Sequence, residues 1–470
     1  MHRDSEKVVY KGDGFTYRVV KREYGGGEFT RFVIVTFPPY RFDFLSPSFD
    51  FKVLYEIYDL SVNYVMRRTK ADISPVFLSP HMGDYPSYLI EETPFGTHIQ
   101  DKFSALINTL SQMANEGKIS VEEGRFASEI SEVSAFLNEG LDTYHIFFGY
   151  EGGKPFKFMG IYPSMGFINP LDSRGKIVMN SHFFLMEPTD INTPFSLLGE
   201  PVGGLIVDGS VKFPYLYERS ALFLYRNHTS EVKKVGIRDM EVVIGERSYI
   251  HGKNAVFYVR PEYEVSPAQK GTDIVIVNNR IVGRKKGGGT EVPDAGFVLH
   301  TEEDIDISGH RVVYRVKSIE NIVFSVQGGP WLVKDERPAS FFDDPFYKDE
   351  PIYFPPTVFP VAWGARYASR SAIGTTKNGE LLILHVEGTN ESTYIPGLDS
   401  RGFTLSELSE VMYSYGAKDG INLDGGGSAQ LYLEGGKFFT FADRRGMPGL
   451  SYRRPVPLGL TFYLRDNLVI

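Results

Sequence analysis

Apolar and polar residues alternate in short runs along most of this chain. Residues 15–21 and 30–36 are rich in β-branched and aromatic side chains and flank Gly25-Gly26-Gly27, a pattern that predicts a hairpin. Similar runs recur at 204–207, 273–277, 311–316, 322–326 and 381–386. Asp208-Gly209, Asn278-Asn279 and Asn378-Gly379 separate or end them, and such residues tolerate the positive φ that tight hairpin turns require. Turns this frequent predict a largely antiparallel, mixed sheet system and argue against a doubly wound parallel one.

Helical spacing is confined to two places. In the first, Ile99, Phe103, Leu106, Ile107, Leu110 and Met113 share one face. A second helix is predicted from Ser120, with Glu123 three residues on as its capping partner and Phe126, Ile130, Val133 and Leu137 as its apolar stripe. Together they read as a helical hairpin near 97–140, inserted into a β-rich chain. The other place is 404–415, where Thr404 and Glu407 form a capping box, Leu405, Leu408, Val411, Met412 and Tyr415 make the buried stripe, and Gly416 fits the C-terminal cap. The fold class expected is therefore α+β: sheets with flanking helices and a helical-hairpin insertion. The segment 341–363, crowded with prolines and aromatics, reads as an ordered loop.

Composition narrows the partners. Of 470 residues, 42% are hydrophobic and 23% charged, enough to bury a core without covalent staples. The net charge of -9 and the lack of a basic run argue against nucleic acid as a partner. Cysteine is absent, which excludes disulfides, thiolate metal sites and a cysteine nucleophile. The polar N-terminus lacks the apolar core of a signal peptide, and no stretch reaches the ~18 apolar residues of a membrane helix. A cytoplasmic enzyme is the simplest expectation, with a trimmed exported protein as the alternative. The pattern specifies no oligomeric state.

The most informative stretch runs from Gly416 to Ser428. Ile421 and Leu423 alternate as a short strand, which puts Asn422 and Asp424 together on its other side. Gly425-Gly426-Gly427 and Ser428 follow at once, so a carboxylate, an amide, bare main-chain donors and a hydroxyl converge within a few residues. The plain alternative is a tight turn in which Asp424 hydrogen-bonds its own loop. No Gly-Lys-Ser/Thr follows, so this is not a nucleotide phosphate loop.

Asn422-Leu423-Asp424-Gly425-Gly426-Gly427-Ser428, behind a capped helix, resembles the signature of the phosphodiester glycosidase family. Further similarities come in the family's order: Asn180-Ser181-His182-Phe183-Phe184, Val292-Pro293-Asp294-Ala295-Gly296, Gln327-Gly328-Gly329-Pro330, Arg370-Ser371-Ala372-Ile373-Gly374 and Arg454-Pro455-Val456. The resemblance covers 10–50 and 150–468, which implies one discontinuous domain interrupted by an insertion at 51–149. Two departures stand out. Ser181-His182 replaces a Gly-Gly, and Glu387-Gly388-Thr389 replaces an Asp-Gly-Arg.

The resemblance implies a glycoside hydrolase that cleaves a sugar from a sugar-1-phosphodiester, with an α-linked N-acetylhexosamine as the expected sugar. Asp424 is the expected nucleophile or base. Glu387 and Asp208 are both available as a second carboxylate, and Glu387 is carried forward. Arg370 and Arg454 are candidates for the phosphate, since arginine binds it through a planar fork, and the amides of Gly425, Gly426 and Gly427 could add donors. Asn180, His182, Asn422 and Ser428 would contact the sugar, and Gly328 and Gly329 would shape the pocket wall. The scheme requires no cofactor. A divalent metal held by Asp424 with Glu387 or Asp208 is one alternative, and a sugar-phosphate-binding protein without turnover is another.

Overall fold

The computed structural model describes residues 3–11, 14–38, 42–45, 148–151, 154–158, 177–185, 192–193, 195, 200–303, 305, 307, 311–317, 319–339, 366–389, 394–433, 437–440, 456 and 458–464. The expected helical hairpin at 97–140, the loop at 341–363 and Arg454 lie outside these residues. The chain divides into two compact units. One comprises Met1–Pro47, Ser173–Tyr452 and Leu458–Ile470, and the other Ser48–Asp172 with Arg453–Pro457. In the second unit, Phe148–Glu151 pairs with Lys154–Phe158 as a hairpin. All that follows concerns the first.

Its largest sheet has eight strands in the order Arg3–Lys11, Thr16–Gly25, Glu28–Phe37, Leu381–Val386, Arg370–Thr376, Ala417–Asn422, Trp331–Lys334 and Arg337–Pro338. The expected hairpin around Gly25-Gly26-Gly27 forms its second and third strands. A five-stranded sheet, with Ile177–Asn180 between Gln430–Leu433 and Gly459–Leu464, packs its apolar side chains into the same core, where Phe37 meets Phe462 edge-on.

A second five-stranded sheet contains Arg219–Tyr225, Ile322–Gln327 and Leu205–Val207. It is buried on both faces. Leu205, Val207, Leu222, Leu224, Phe324 and Val326 join the core of the eight-stranded sheet, while the intervening Ile206, Ala221 and Phe223 join a second core with Met240, Val242, Ile274 and Phe297. Strand alternation thus sends successive side chains into different cores, so Ala-Leu-Phe-Leu at 221–224 reads as one continuous apolar run.

Every strand ladder among the described residues is antiparallel. Leu405–Ser414 is the single α-helix among them. The expected α+β class with flanking helices is therefore corrected to an all-β assembly carrying one helix. The physical reason is that most apolar sheet faces are covered by other sheets, leaving one face to a helix. That helix begins at Thr404, whose side chain accepts from Glu407 N–H while the Glu407 carboxylate accepts from Thr404 N–H, and Gly416 follows it at φ 87°. Met412 seats it against the paired Gly374 and Gly420. A Cβ at either glycine would lie 2.6 Å from the Met412 thioether, so the two glycines admit the helix to the sheet.

Candidate active site

The pairings Arg370↔Val386, Ala372↔Asn422 and Trp331↔Ile421 bring Glu387, Ser369, Asp424 and Gly329-Pro330 to one end of the eight-stranded sheet. The C-terminal end of Ile177–Asn180 and the N-terminal end of Gln430–Leu433 arrive there from the neighbouring sheet, and Gln327-Gly328 arrive from the third. Three sheet ends therefore meet around the glycine-rich segment.

Pairing continues to Leu423, whose N–H donates to Ser371 O at 2.8 Å. At Asp424 the chain turns off the strand. Its N–H donates to Ser181 O (3.1 Å), its carbonyl accepts from Asn180 Nδ2 (2.6 Å), and its carboxylate Oδ1 accepts from Gly425 N–H (2.9 Å). Ser369 then brackets the turn, accepting Gly426 N–H at 2.9 Å and donating its hydroxyl to Gly426 O at 2.5 Å. Gly426 has φ 57°, and a Cβ at Gly425 would lie 2.8 Å from Ser369 O, so this turn needs both glycines. Two of the three glycine amides expected to receive an anion are thus turned back on the fold. Ser428 is buried, and its N–H closes the turn onto Gly425 O. The plain-turn reading holds for Asp424 Oδ1, yet Asp424, Gly425 and Gly426 are half-buried among neighbours that are fully buried.

Asn422 is buried, with Nδ2 donating to Gly329 O at 3.1 Å, and its Oδ1 has no hydrogen-bond partner among the described residues. Gly328 and Gly329 pack against the Asn422 main chain. A Cβ on Gly328 would stand 2.2 Å from Asn422 O, and Gly329 N–H donates to that same carbonyl at 2.8 Å.

His182 is buried and held at both ring nitrogens. A carbonyl only accepts, so Nε2 carries the proton that bonds Gly204 O (2.9 Å), and Nδ1 accepts from the Ser181 hydroxyl (2.6 Å). The Ser-His pair that replaces two glycines is thus built into the fold. Gly203 makes room for the ring, since a Cβ there would come within 2.5 Å of His182 Cδ2.

Arg370 is buried and donates Nε to Phe403 O (3.1 Å) and Nη2 to Arg366 O (2.8 Å), which engages much of the fork expected to hold a phosphate. Alternation along its strand places it on the face opposite Ser371. Glu387 is paired with Arg31 at 2.7 Å. It sits two strands from Asp424, and strand spacing puts the two main chains roughly 10 Å apart. Asp208 is exposed in a hairpin turn, about 13 Å of extended chain beyond Gly204, and is not brought to the site. No group of three His, Asp or Glu side chains suited to a metal ion occurs among the described residues. A cavity of about 310 Å³ lined by Thr16, Arg18, Thr376, Lys377, Glu380 and Gly416 lies at the opposite end of the eight-stranded sheet and takes no part here.

The structure adds residues that sequence reasoning passed over. Ser371 donates to Asn180 Oδ1 at 2.7 Å and contacts His385 Nδ1 at 3.2 Å; Gln430 N–H donates to Asn180 Oδ1 at 3.0 Å; Gln327 binds main chain on three strands or their ends. Ser371 and Gln327 sit inside motifs already singled out, but nothing in their spacing marks their partners.

Burial pushes the His182 imidazole down to about 4 and that of His385 to about 3. Both folded values lie below the ordinary 6.5, so unfolding takes up protons between them and 6.5. The stability they contribute is complete above pH 6.5 and is lost as pH falls toward the folded values. Over the two pH units from 6.5 down to 4.5 this amounts to roughly 3 kcal/mol per histidine. Urea unfolding at pH 7.5 and 4.5 is expected to show that loss, and His182→Gln to reduce it by about half. An unchanged pH slope in that variant would remove His182 from the account.

Residues 253–463 match the phosphodiester glycosidase family, so the resemblance read from the motifs holds across that stretch. Among curated proteins, N-acetylglucosamine-1-phosphodiester alpha-N-acetylglucosaminidase of Bos taurus is 38% identical over 68 residues, or 14% of this chain and 11% of the relative. The Homo sapiens enzyme is 37% identical over 68 residues, or 14% and 12%. The match thus spans about a tenth of those relatives' length. Among solved structures, a hypothetical protein from Synechocystis aligns with TM-score 0.44 and 13% identity, covering 98% of this chain and 64% of that one. The zebrafish N-acetylglucosamine-1-phosphodiester alpha-N-acetylglucosaminidase catalytic domain, auto-inhibited by its pro-peptide, aligns with TM-score 0.37 and 11% identity, covering 98% and 88%. Among the described residues no helix is long and apolar enough to cross a membrane. The comparisons lend the expected cytoplasmic location no support.

Proposed function

We propose that this chain is a hydrolase that cleaves a sugar from a sugar-1-phosphodiester, with Asp424 as the reacting carboxylate. The observation that carries this reading is the half-buried Asp424 at the meeting of three sheet ends, where Asn180, Ser181, His182, Asn422 and Ser428 are all buried. A buried frame around one half-buried carboxylate suits attack on an anomeric carbon, or activation of water beside it. A phosphodiester leaving group departs already charged and needs little protonation, which fits a site whose candidate second carboxylate, Glu387, is held by Arg31.

The finer reading, an α-linked N-acetylhexosamine, rests on the names of the curated relatives. With Arg370 bonded to Phe403 O and Arg366 O, we assign it to bracing the site wall. The test is a pair of substrates carrying one sugar, as a phosphodiester and as a simple alkyl glycoside. The phosphodiester is expected to release free sugar faster by at least about 100-fold, since an alkoxide needs a well-placed acid. Equal rates would leave a generic glycosidase. Binding without release of sugar from either would leave a sugar-phosphate-binding protein.

A further inference from the structure

Asn180 was expected to contact the sugar, but its surroundings assign it elsewhere. It is fully buried at the end of the Ile177–Asn180 strand. Its amide orientation follows from its partners. Gln430 N–H can only donate, so the atom facing it at 3.0 Å is Oδ1; the Asp424 carbonyl can only accept, so the atom facing it at 2.6 Å is Nδ2. Oδ1 also accepts the Ser371 hydroxyl at 2.7 Å, which fills both of its lone pairs. With its proton committed there, Ser371 Oγ accepts from His385 Nδ1 at 3.2 Å.

The two main-chain groups that Asn180 holds flank the glycine turn. Asp424 C=O is its entrance and Gln430 N–H its exit, so one side-chain amide closes the base of the loop 425–429. The next residue, Ser181, accepts Asp424 N–H. Both main-chain polar groups of Asp424 are therefore fixed by consecutive residues of one strand end.

We propose that Asn180 is the positioning residue for Asp424: it sets where the carboxylate stands by stapling the glycine turn, and it does not touch substrate. The proposal rests on Asp424 being the reacting group, and its test contains a readout that does not depend on turnover. Asn180→Asp is nearly isosteric and keeps the acceptor for Ser371 and Gln430. When ionised it turns an oxygen toward Asp424 C=O in place of a donor, and when protonated it can donate again. The titratable groups around position 180 among the described residues are His385 on the Leu381–Val386 strand, His182 two residues on, and Asp424 in the turn itself. Both histidines are neutral near pH 7 and stay so well into acid, so neither accounts for a change in the ratio of variant to wild type.

At neutral pH the variant is expected to lose at least about 10-fold in kcat on a sugar-1-phosphodiester with KM within about threefold, the pattern of a misplaced reacting group. The kcat ratio to wild type should recover as pH is lowered. In parallel, hydrogen-exchange protection of the Gly425–Gly427 amides should fall at neutral pH and return in acid. Ser371→Ala supplies a second, milder variant, expected to lower kcat a few-fold with KM unchanged and no pH-dependent recovery. A raised KM with unchanged kcat in Asn180→Asp would make Asn180 a substrate contact and overturn the proposal, as would unchanged protection of the turn. Should wild type release no sugar from any phosphodiester while the protection pattern holds, the glycosidase reading fails and the staple stands.

Discussion

Asp424→Asn is expected to lower turnover of a sugar-1-phosphodiester by at least about 100-fold, the scale associated with losing a general base or nucleophile, while the protein stays folded. The geometry separates the two effects. An asparagine at 424 can keep its carbonyl oxygen on Gly425 N–H, where Oδ1 now accepts at 2.9 Å. The bonds from Asn180 and to Ser181 involve main-chain atoms that the substitution leaves alone. The residue is half-buried, so no cavity opens. Negative charge and basicity are what disappear. Unfolding free energy should therefore stay within about 0.5 kcal/mol of wild type, as for substitutions that break no buried feature. Turnover near wild type, with the same circular dichroism, would end the assignment of Asp424. A loss of several kcal/mol alongside the lost turnover would instead make Asp424 a structural residue of its own turn.

What was legible in the sequence divides by the range of the interaction that decides it. Asp208-Gly209 takes φ 50° and 73° in a hairpin turn, and the Thr404–Glu407 box caps the helix, because both are settled by residues within one turn of chain. The glycines of the site were legible for a similar reason: Gly328, Gly425 and Gly426 are demanded by close main-chain approach or positive φ, and only glycine satisfies it. Arg219–Tyr225 escaped notice because burial on both faces erased the alternation that marks a strand. The α+β expectation failed on what covers the sheets, since helical periodicity says nothing of how many apolar faces pack against other sheets. The buried network escaped for want of range. Asn180 meets Ser371 and Gln430 across 191 and 250 residues of chain, and no spacing rule reaches that far. Sequence reading accordingly gave Asn180 and His182 a ligand role from their motif alone and had no means of reaching the buried partners they bond.

Gln327 shows the same lesson with the largest expected effect on stability. It stands at the end of the Ile322–Gln327 strand, fully buried. Its Oε1 accepts Gly204 N–H at 3.1 Å, and its Nε2 faces Val235 O, Tyr217 O and Arg219 O at 2.7, 2.9 and 3.3 Å. Four main-chain groups from separate parts of the chain depend on one amide. Gln327→Leu keeps the approximate volume and removes every one of these bonds. Leaving a buried donor or acceptor without a partner costs ~1–3 kcal/mol each, so a loss of about 4 kcal/mol is expected by urea unfolding. The effect should reach the site. Gly204 O accepts both Gln327 N–H at 2.8 Å and His182 Nε2 at 2.9 Å, and His182 holds Ser181, whose carbonyl takes Asp424 N–H. Gln327→Glu separates the donor from the acceptor: it keeps the acceptor for Gly204 but turns an oxygen toward three carbonyls. At pH 7.5 it should be at least as unstable as the leucine variant, and it should recover toward acid, where the protonated carboxyl can donate. A leucine variant destabilised by less than about 1 kcal/mol would show that those carbonyls find other partners, and the meeting point of the three sheets would then owe its geometry to packing alone.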